Sequence, residues 1–229
     1  MLTAADVMTT NVISVSPETL VQDIAKLLYA HRISGLPVVD AEQRIVGIVS
    51  EGDLIRHVEA VGQPRRSWWL TLFSDDSALA RDYAKIHGRT ARDVMTAKVI
   101  TVDGATPLVE IAMLMERHRI KRVPVLNEGK LIGIVTRSNL LQALATADVQ
   151  KAVSAEDSAI RERLTEELRA QPWFRFSMTN VVVKDGTVHL FGLVRTDDER
   201  NALRVAAGNI AGVKSVEDHL KRWAPVNDL

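Results

Sequence analysis

Asp6-Val7-Met8-Thr9 returns as Asp93-Val94-Met95-Thr96, and the correspondence continues at a constant offset of 87 residues. Val12-Ile13 answers Val99-Ile100, His31-Arg32-Ile33 answers His118-Arg119-Ile120, and Pro37-Val38 answers Pro124-Val125. This self-similarity restricts the fold more than any other feature, because each copy must build the same supersecondary unit. A copy of roughly 50 residues buries only a marginal core, so two similar halves packed together are expected. Beyond Pro-Val the second copy is one residue shorter. Asp40-Ala41-Glu42-Gln43-Arg44 becomes Asn127-Glu128-Gly129-Lys130, where a hairpin turn absorbs a deletion.

Both copies read as a short strand (Val12 to Val15; Val99 to Val102), a helix, two strands joined by that turn, and a closing helix. The first helix is amphipathic, with Val21, Ile24, Ala25 and Leu28 on one face, and Leu108, Ile111, Ala112 and Met115 in the same places. Ser16-Pro17 supplies a start signal for it, a cap followed by proline. The second strand of each copy runs straight into a helix, as Ile45-Val46-Gly47-Ile48-Val49-Ser50-Glu51-Gly52-Asp53 and as Leu131-Ile132-Gly133-Ile134-Val135-Thr136-Arg137-Ser138-Asn139.

A helix start offers unpaired N–H groups and the positive end of the helix dipole, so an anionic group such as a phosphate is welcome there. An Asp three residues on can accept from a ribose diol, and a Ser or Thr hydroxyl can reach a phosphate or sugar oxygen. The same Ser-x-x-Asp is also a capping-box signal that satisfies only the helix itself. Both readings stand at this level.

Between the copies, residues 59–92 carry Arg65-Arg66-Ser67-Trp68-Trp69-Leu70 and a helical pattern from Asp75 to His87. The tryptophans suit a partner or membrane surface, or a cover for one edge of the doubled core. From about Ala147 the repeat ends. A charged helix, Ser154 to Ala170, is followed by Val181, Val183, the hairpin signal Lys184-Asp185-Gly186-Thr187, then Val188, Leu190, Gly192 and Val194 at period two. A helix with Ala202, Val205, Ala206 and Ile210 on one face leads to a last strand, Gly212 through Val216. This order makes a separate α+β domain at 155–224.

Charge balance is even, with 29 basic and 29 acidic residues, which gives no support to nucleic-acid binding. The absence of cysteine excludes disulfides and thiolate metal sites. His31 and His118 have no carboxylate cluster at ligand spacing, so neither is read as a metal ligand. No catalytic residue is assigned, because no nucleophile, base and orienter set is present and no Walker-type loop. The opening residues lack a basic n-region and no apolar run of about 18 residues occurs, so a cytoplasmic protein is expected.

The doubled unit, with its Asp-Val-Met-Thr openings, His-Arg-Ile-x-x-apolar-Pro-Val centres and Gly-Ile-Val-Ser/Thr edges, resembles a tandem pair of CBS domains, the Bateman module of bacterial regulators. The C-terminal part resembles a BON domain, through Ile160, the Val181 to Val194 pattern, Ala206 and Gly212-Val213-x-x-Val216. The implied layout is CBS repeat 1 at 1–58, an insertion at 59–92, CBS repeat 2 at 93–147, and a BON domain of αββαβ order at 155–224. The fold class is α+β, two pseudo-symmetric repeats of small sheet plus helices packed together.

The resemblance implies adenosine-type ligands (AMP, ADP, ATP, S-adenosylmethionine, in some members cyclic dinucleotides) in two clefts between the repeats. In that family the Asp of Ser/Thr-x-x-Asp holds the ribose hydroxyls, which matches Asp53, with Ser50 at the hydroxyl position. Thr10, Val12, Leu36 and Pro37 match adenine-contacting positions. Thr96, Lys98, Val123, Pro124, Thr136 and Asn139 are their counterparts in the second copy. Asn139 departs from the pattern, since an amide lacks the charge-assisted grip of a carboxylate. Lys121 and Arg122 replace Ser34 and Gly35 where the family places phosphate-binding groups, and Arg137 follows Thr136; a solvated basic edge is the alternative. The expectation is a non-enzymatic, homodimeric nucleotide sensor that needs no cofactor and relays binding through the BON domain. The alternative is a ligand-free dimerisation scaffold whose BON domain docks to a phospholipid surface or a protein partner.

Overall fold

A computed structural model describes residues 1–55, 88–146, 153–174 and 179–223. Arg65 to Leu70, the Asp75 to His87 pattern and most of the 59–92 insertion lie outside the described residues. The chain forms two compact units. One is drawn from Met1–Val12, Thr101–Glu128 and Ile132–Leu229, the other from Ile13–Ile100 and Gly129–Leu131.

In the unit that holds most of the first repeat, β1 (Gly35–Val39) and β2 (Ile45–Ser50) form an antiparallel hairpin with Gly35 opposite Ser50 and Leu36 opposite Val49. Asp40 closes its turn by accepting from the N–H groups of Glu42 and Arg44 at 3.0 and 2.8 Å. The helix Val21–His31 buries Ile24 and Leu28 against Leu36, Val38 and Val49. Its stripe differs from the expected one: Ala25 is exposed and Leu27 takes its place at the core. A leucine removes far more apolar surface from water than a methyl, so that rotation is favoured. Ala112 is exposed as well in the second copy.

Two further expectations change. The strand expected over Val12 to Val15 shrinks to one parallel bridge, Val15 with Val38, and its counterpart is the two-residue β3 (Val102–Asp103). The first helix also begins later than Ser16-Pro17 signals, at Val21 with Leu20 as its N-cap. The reason lies in the backbone of 17–21, which is committed elsewhere. Pro17 O and Thr19 O accept from Arg92 and Ala91 N–H at 2.9 and 2.8 Å, and Val21 N–H donates to Arg89 O.

Those bonds seat the short helix Ala91–Val94, which opens the second repeat in sequence, in the core of the first. The mirror arrangement occurs in the other unit. Ala4 and Ala5 N–H donate to Thr106 O and Gly104 O, both at 2.9 Å, and the short helix Ala4–Val7 buries Ala4 and Val7 with Leu108, Ile111, Val123 and Val125. The openings are therefore exchanged between the copies. Each also pairs with an edge strand, Thr9 with Ile134 of β5 (Lys130–Thr136) and Thr96 with Ile48 of β2. The glycine in each edge now has a reason: a Cβ at Gly47 would run into the Met95 side chain, and a Cβ at Gly133 into that of Met8.

The second copy's β3, β4 (Arg122–Asn127) and β5 form a three-stranded sheet with the helices Leu108–Arg117 and Arg137–Thr146. The same unit carries the C-terminal domain. Its helix Ala155–Arg169 is capped by Ser154, whose hydroxyl accepts from Asp157 N–H at 3.0 Å. β6 (Thr179–Lys184) and β7 (Thr187–Val194) are antiparallel around a turn in which Asp185 and Gly186 have φ of 50° and 82°. The last strand, β8 (Ser215–Arg222), runs parallel to β7 and past the Val216 expected to end it. On the helix Asp197–Gly208 the buried residues are Leu203 and Ala207, while Val205 is exposed.

Candidate functional site

At the end of β2 the chain turns into a helix at residue 51, with Ser50 before its first turn and Asp53 inside it. Ser50 N–H and Oγ–H both donate to Asp53 Oδ2, at 2.9 and 2.7 Å. At the end of β5, Thr136 N–H and Oγ1–H donate to Asn139 Oδ1 at 2.8 and 2.7 Å. The two caps are thus superposable in chemistry apart from the charge on the acceptor. Asp53 is 7% exposed and Asn139 3%. Both helices also spend their first N–H on the chain preceding the hairpin: Glu51 N–H donates to Ser34 O at 3.1 Å and Arg137 N–H to Lys121 O at 3.2 Å.

The capping reading of Ser-x-x-Asp is therefore realised in both copies, and it occurs at the openings as well. Thr3 N–H and Oγ1–H donate to Asp6 Oδ2, both at 2.8 Å, and Thr90 does the same to Asp93 at 3.0 and 2.9 Å. The bond to Thr90 N–H, then that to its hydroxyl, holds the Asp93 carboxyl below its ordinary range.

The remaining expected residues divide between the units. Leu36 and Pro37 are buried on β1, opposite Val49 and Ile48 of the strand that ends at Ser50, and Thr96 and Lys98 belong to that unit, both exposed. Val123 and Pro124 are buried on β4 in the other unit, with Arg122 half-buried and Lys121 and Arg137 exposed to solvent. Thr10 and Val12 fall in this second unit, apart from Asp53. His31 and His118 end their helices, each next to an arginine in the left-handed region, Arg32 at φ 49° and Arg119 at φ 52°.

Two polar groups that the sequence pattern did not single out, the half-buried Arg161 and the buried Asn180, join the C-terminal domain to the chain's opening, and Asn180 also to the helix that starts at Arg137. The Arg161 guanidinium donates to Ala5 O and Met8 O at 2.6 Å and to Val181 O at 3.0 Å. Burial lowers its pKa to about 10, so it remains a cation at neutral pH. Asn180 Nδ2 donates to Gln142 Oε1 at 2.8 Å, and also to Val7 O. Gln142 stands one turn beyond Asn139. No signal in periodicity marks Arg161, one arginine among the charges of a solvated-looking helix.

Among the described residues, no helix is long and apolar enough to cross a membrane. The CBS domain model matches residues 4–60 and 91–146, and the BON domain model matches 156–222. The chloroplastic CBS domain-containing protein CBSX2 of Arabidopsis thaliana is 33% identical over 153 residues, covering 62% of this chain and 63% of that protein. The chain thus spans less than two thirds of that relative's length. The uncharacterized protein MJ1426 of Methanocaldococcus jannaschii is 34% identical over 133 residues, 53% of this chain and 79% of the relative. A crystal structure of CBSX2 in complex with AMP aligns with a TM-score of 0.56 at 34% identity, covering 63% of this chain and 97% of that one.

Proposed function

The chain belongs to the CBS-domain family, two repeats followed by a BON domain, and on that premise we propose that it is a non-enzymatic regulator that binds an adenosine nucleotide. AMP is the first ligand to consider, given the 34% identical CBSX2 complex. The observation that carries this reading is the Ser50–Asp53 edge, a buried carboxylate at a helix start next to the apolar Leu36-Pro37 step. That set offers what an adenosine requires: an apolar wall for the base, an anionic acceptor for the ribose diol, and a hydroxyl within reach of both.

The second copy is read as the weaker or phosphate-selective edge. Asn139 supplies a neutral acceptor, and Lys121, Arg122 and Arg137 supply cations that favour ADP or ATP over AMP. Thr10 and Val12, in the unit of this edge, and Thr96 and Lys98, in the unit of Asp53, contribute main-chain and hydroxyl contacts each within its own unit. S-adenosylmethionine remains in the test set, because its adenosine half has the same needs.

The relay runs through Arg161 and Asn180. Both hold the 4–8 segment, and Asn180 also holds the helix that starts at Arg137, so a shift of that edge changes contacts made by the BON domain itself. A ligand drives such a shift only through different affinities for the two arrangements. Val109 and Met113, one turn apart, and Leu141 and Leu144 are exposed at 45%, 57%, 66% and 62%, which supports self-association into a homodimer.

Isothermal titration of the full chain with AMP, ADP, ATP, S-adenosylmethionine and cyclic di-AMP tests the reading. Micromolar binding of one of them is expected; absence of heat and of thermal shift with all five refutes it. A specific observation favours the scaffold alternative: Asn139 makes the same cap bonds as Asp53, so the edge has a structural use without any ligand. Under that alternative the BON domain docks to a phospholipid surface or a protein, and liposome co-sedimentation without nucleotide binding is its signature.

A further inference from the structure

β7 and β8 pair in parallel with His189 opposite Glu217 and Phe191 opposite His219. Side chains two apart on a strand share a face, so these four stand together. Val188, Leu190 and Leu220 point the other way, into the BON core. On the shared face His189 Nδ1 lies 3.3 Å from Glu217 Oε2 and 3.3 Å from His219 Nε2, and the last two atoms are 3.6 Å apart. Three donor atoms thus form a nearly equilateral triangle.

That triangle has a size with chemical meaning. At metal–nitrogen and metal–oxygen bonds of about 2.0–2.1 Å, tetrahedral angles put neighbouring ligand atoms about 3.3–3.4 Å apart, whereas octahedral angles put them about 2.9 Å apart. We propose that His189, Glu217 and His219 form a site for a divalent transition-metal cation of the Zn²⁺ class, three protein ligands with the fourth position open. Two imidazoles and one carboxylate suit Zn²⁺ rather than Mg²⁺ or Ca²⁺, which take oxygen donors.

The surroundings fit a ligand set. His189 is 7% exposed, so its ring is ordered before any ion arrives. The Phe191 ring stacks on His219 with centroids 4.6 Å apart and planes 11° apart, which fixes the second imidazole. Glu217 and His219 are exposed, so an ion can enter and its open position faces outward. The ion ties the edge strand β8 to β7 and gives the BON domain a coordination point for a donor group of a partner. This proposal is independent of nucleotide binding.

The test uses the full chain stripped by a chelator and then titrated with Zn²⁺, and with Co²⁺ as a spectroscopic substitute. One equivalent of Zn²⁺ is expected, with the intense visible absorption of tetrahedral Co²⁺. His219→Ala and Glu217→Gln alter exposed side chains, and circular dichroism checks that both fold. Each is expected to weaken binding by more than the roughly 10–100-fold that loss of an outer-sphere partner costs, and to abolish the Co²⁺ bands. His31→Ala and His118→Ala leave both readouts unchanged. The proposal is overturned if the native chain binds no stoichiometric Zn²⁺, or if one equivalent survives in His219→Ala and Glu217→Gln. In the first case the three groups are only a hydrogen-bonded cluster.

Discussion

Asp53→Asn separates the two jobs that the sequence leaves superimposed on one residue. Asp53 Oδ2 takes the Ser50 N–H and Oγ–H at 2.9 and 2.7 Å; Asn139 Oδ1 takes the Thr136 pair at 2.8 and 2.7 Å. The chain itself therefore shows that an amide fills the cap. Asp53→Asn is expected to leave the melting temperature within about 1 °C, because no cap bond is lost. Asp53→Ala removes both bonds, costs about 1 kcal/mol, and lowers the melting temperature by about 2–4 °C. Binding should divide differently. A hydrogen bond to a charged acceptor is worth roughly twice a neutral one, a difference of about 1.4 kcal/mol or a tenfold change in Kd. Titration with AMP should show about a tenfold loss in Asp53→Asn and at least as much in Asp53→Ala. If Asp53→Asn binds AMP as the native chain does, the ribose role is wrong. If it melts as early as Asp53→Ala, the equivalence of the two caps is wrong.

Asn139→Asp keeps its cap and adds the carboxylate, so a second equivalent of AMP should appear in the same titration. Gly47→Ala places a methyl against Met95 and should cost about 1–3 kcal/mol in urea unfolding; Met95→Ala in the same chain should recover part of it, and no recovery would discount the clash. Arg161→Met leaves three carbonyls without their donor at a cost of about 3 kcal/mol or more, and amide exchange over residues 4–8 should rise; unaltered exchange there would remove the proposed strap. For Asp93, whose carboxyl is held below its ordinary 3.8 by Thr90, the contribution to stability is full above that value and is lost as pH falls through the lower folded value. Asp93→Asn should lower the neutral-pH melting temperature slightly, by the contribution of the charge, converge with the native chain in acid, and so flatten the acid limb of the pH profile.

Much of the fold was legible because its signals are local. The hairpin turns at Asp40 and Asp185-Gly186 and the charged helix over 154–170 depend on neighbours in sequence, and all form where they are expected. The exchange of the openings was not legible, for a reason built into the repeat. Ala-x-Asp-Val-Met is common to both copies, so either segment presents the same apolar face to either hairpin. Only the backbone bonds from Ala4 to Thr106 and from Ala91 to Thr19 decide the matter. Glycine in each edge was a usable clue, since a strand interior prefers a side chain unless another group must come close. Arg161, Asn180 and the His189–Glu217–His219 triangle escaped because periodicity records apolar faces, whereas these residues are defined by contacts across the fold.

Four caps of this kind among the described residues bear on the acceptor in which the two edges differ, Asp53 against Asn139. Three use Asp (Asp6, Asp53, Asp93) and the fourth uses Asn139, with donors at closely similar distances. Asp93 is exposed, so its charge remains solvated and gains from the helix dipole by about 0.3–1 kcal/mol. Asp53 is 7% exposed, and an ion in that setting gives up much of its hydration, a cost that an amide in the same place largely avoids. The dipole gain and the desolvation cost oppose one another, so the two bonds from Ser50 do not by themselves select a carboxylate over an amide at 53. Under the proposed function, a ligand that presents two hydroxyls to that position favours the carboxylate further, because each would donate to a charged acceptor. The same reasoning makes Asn139 the weaker acceptor of the two, and under the proposed function it predicts that AMP fills the Asp53 edge before the Asn139 edge in the native chain.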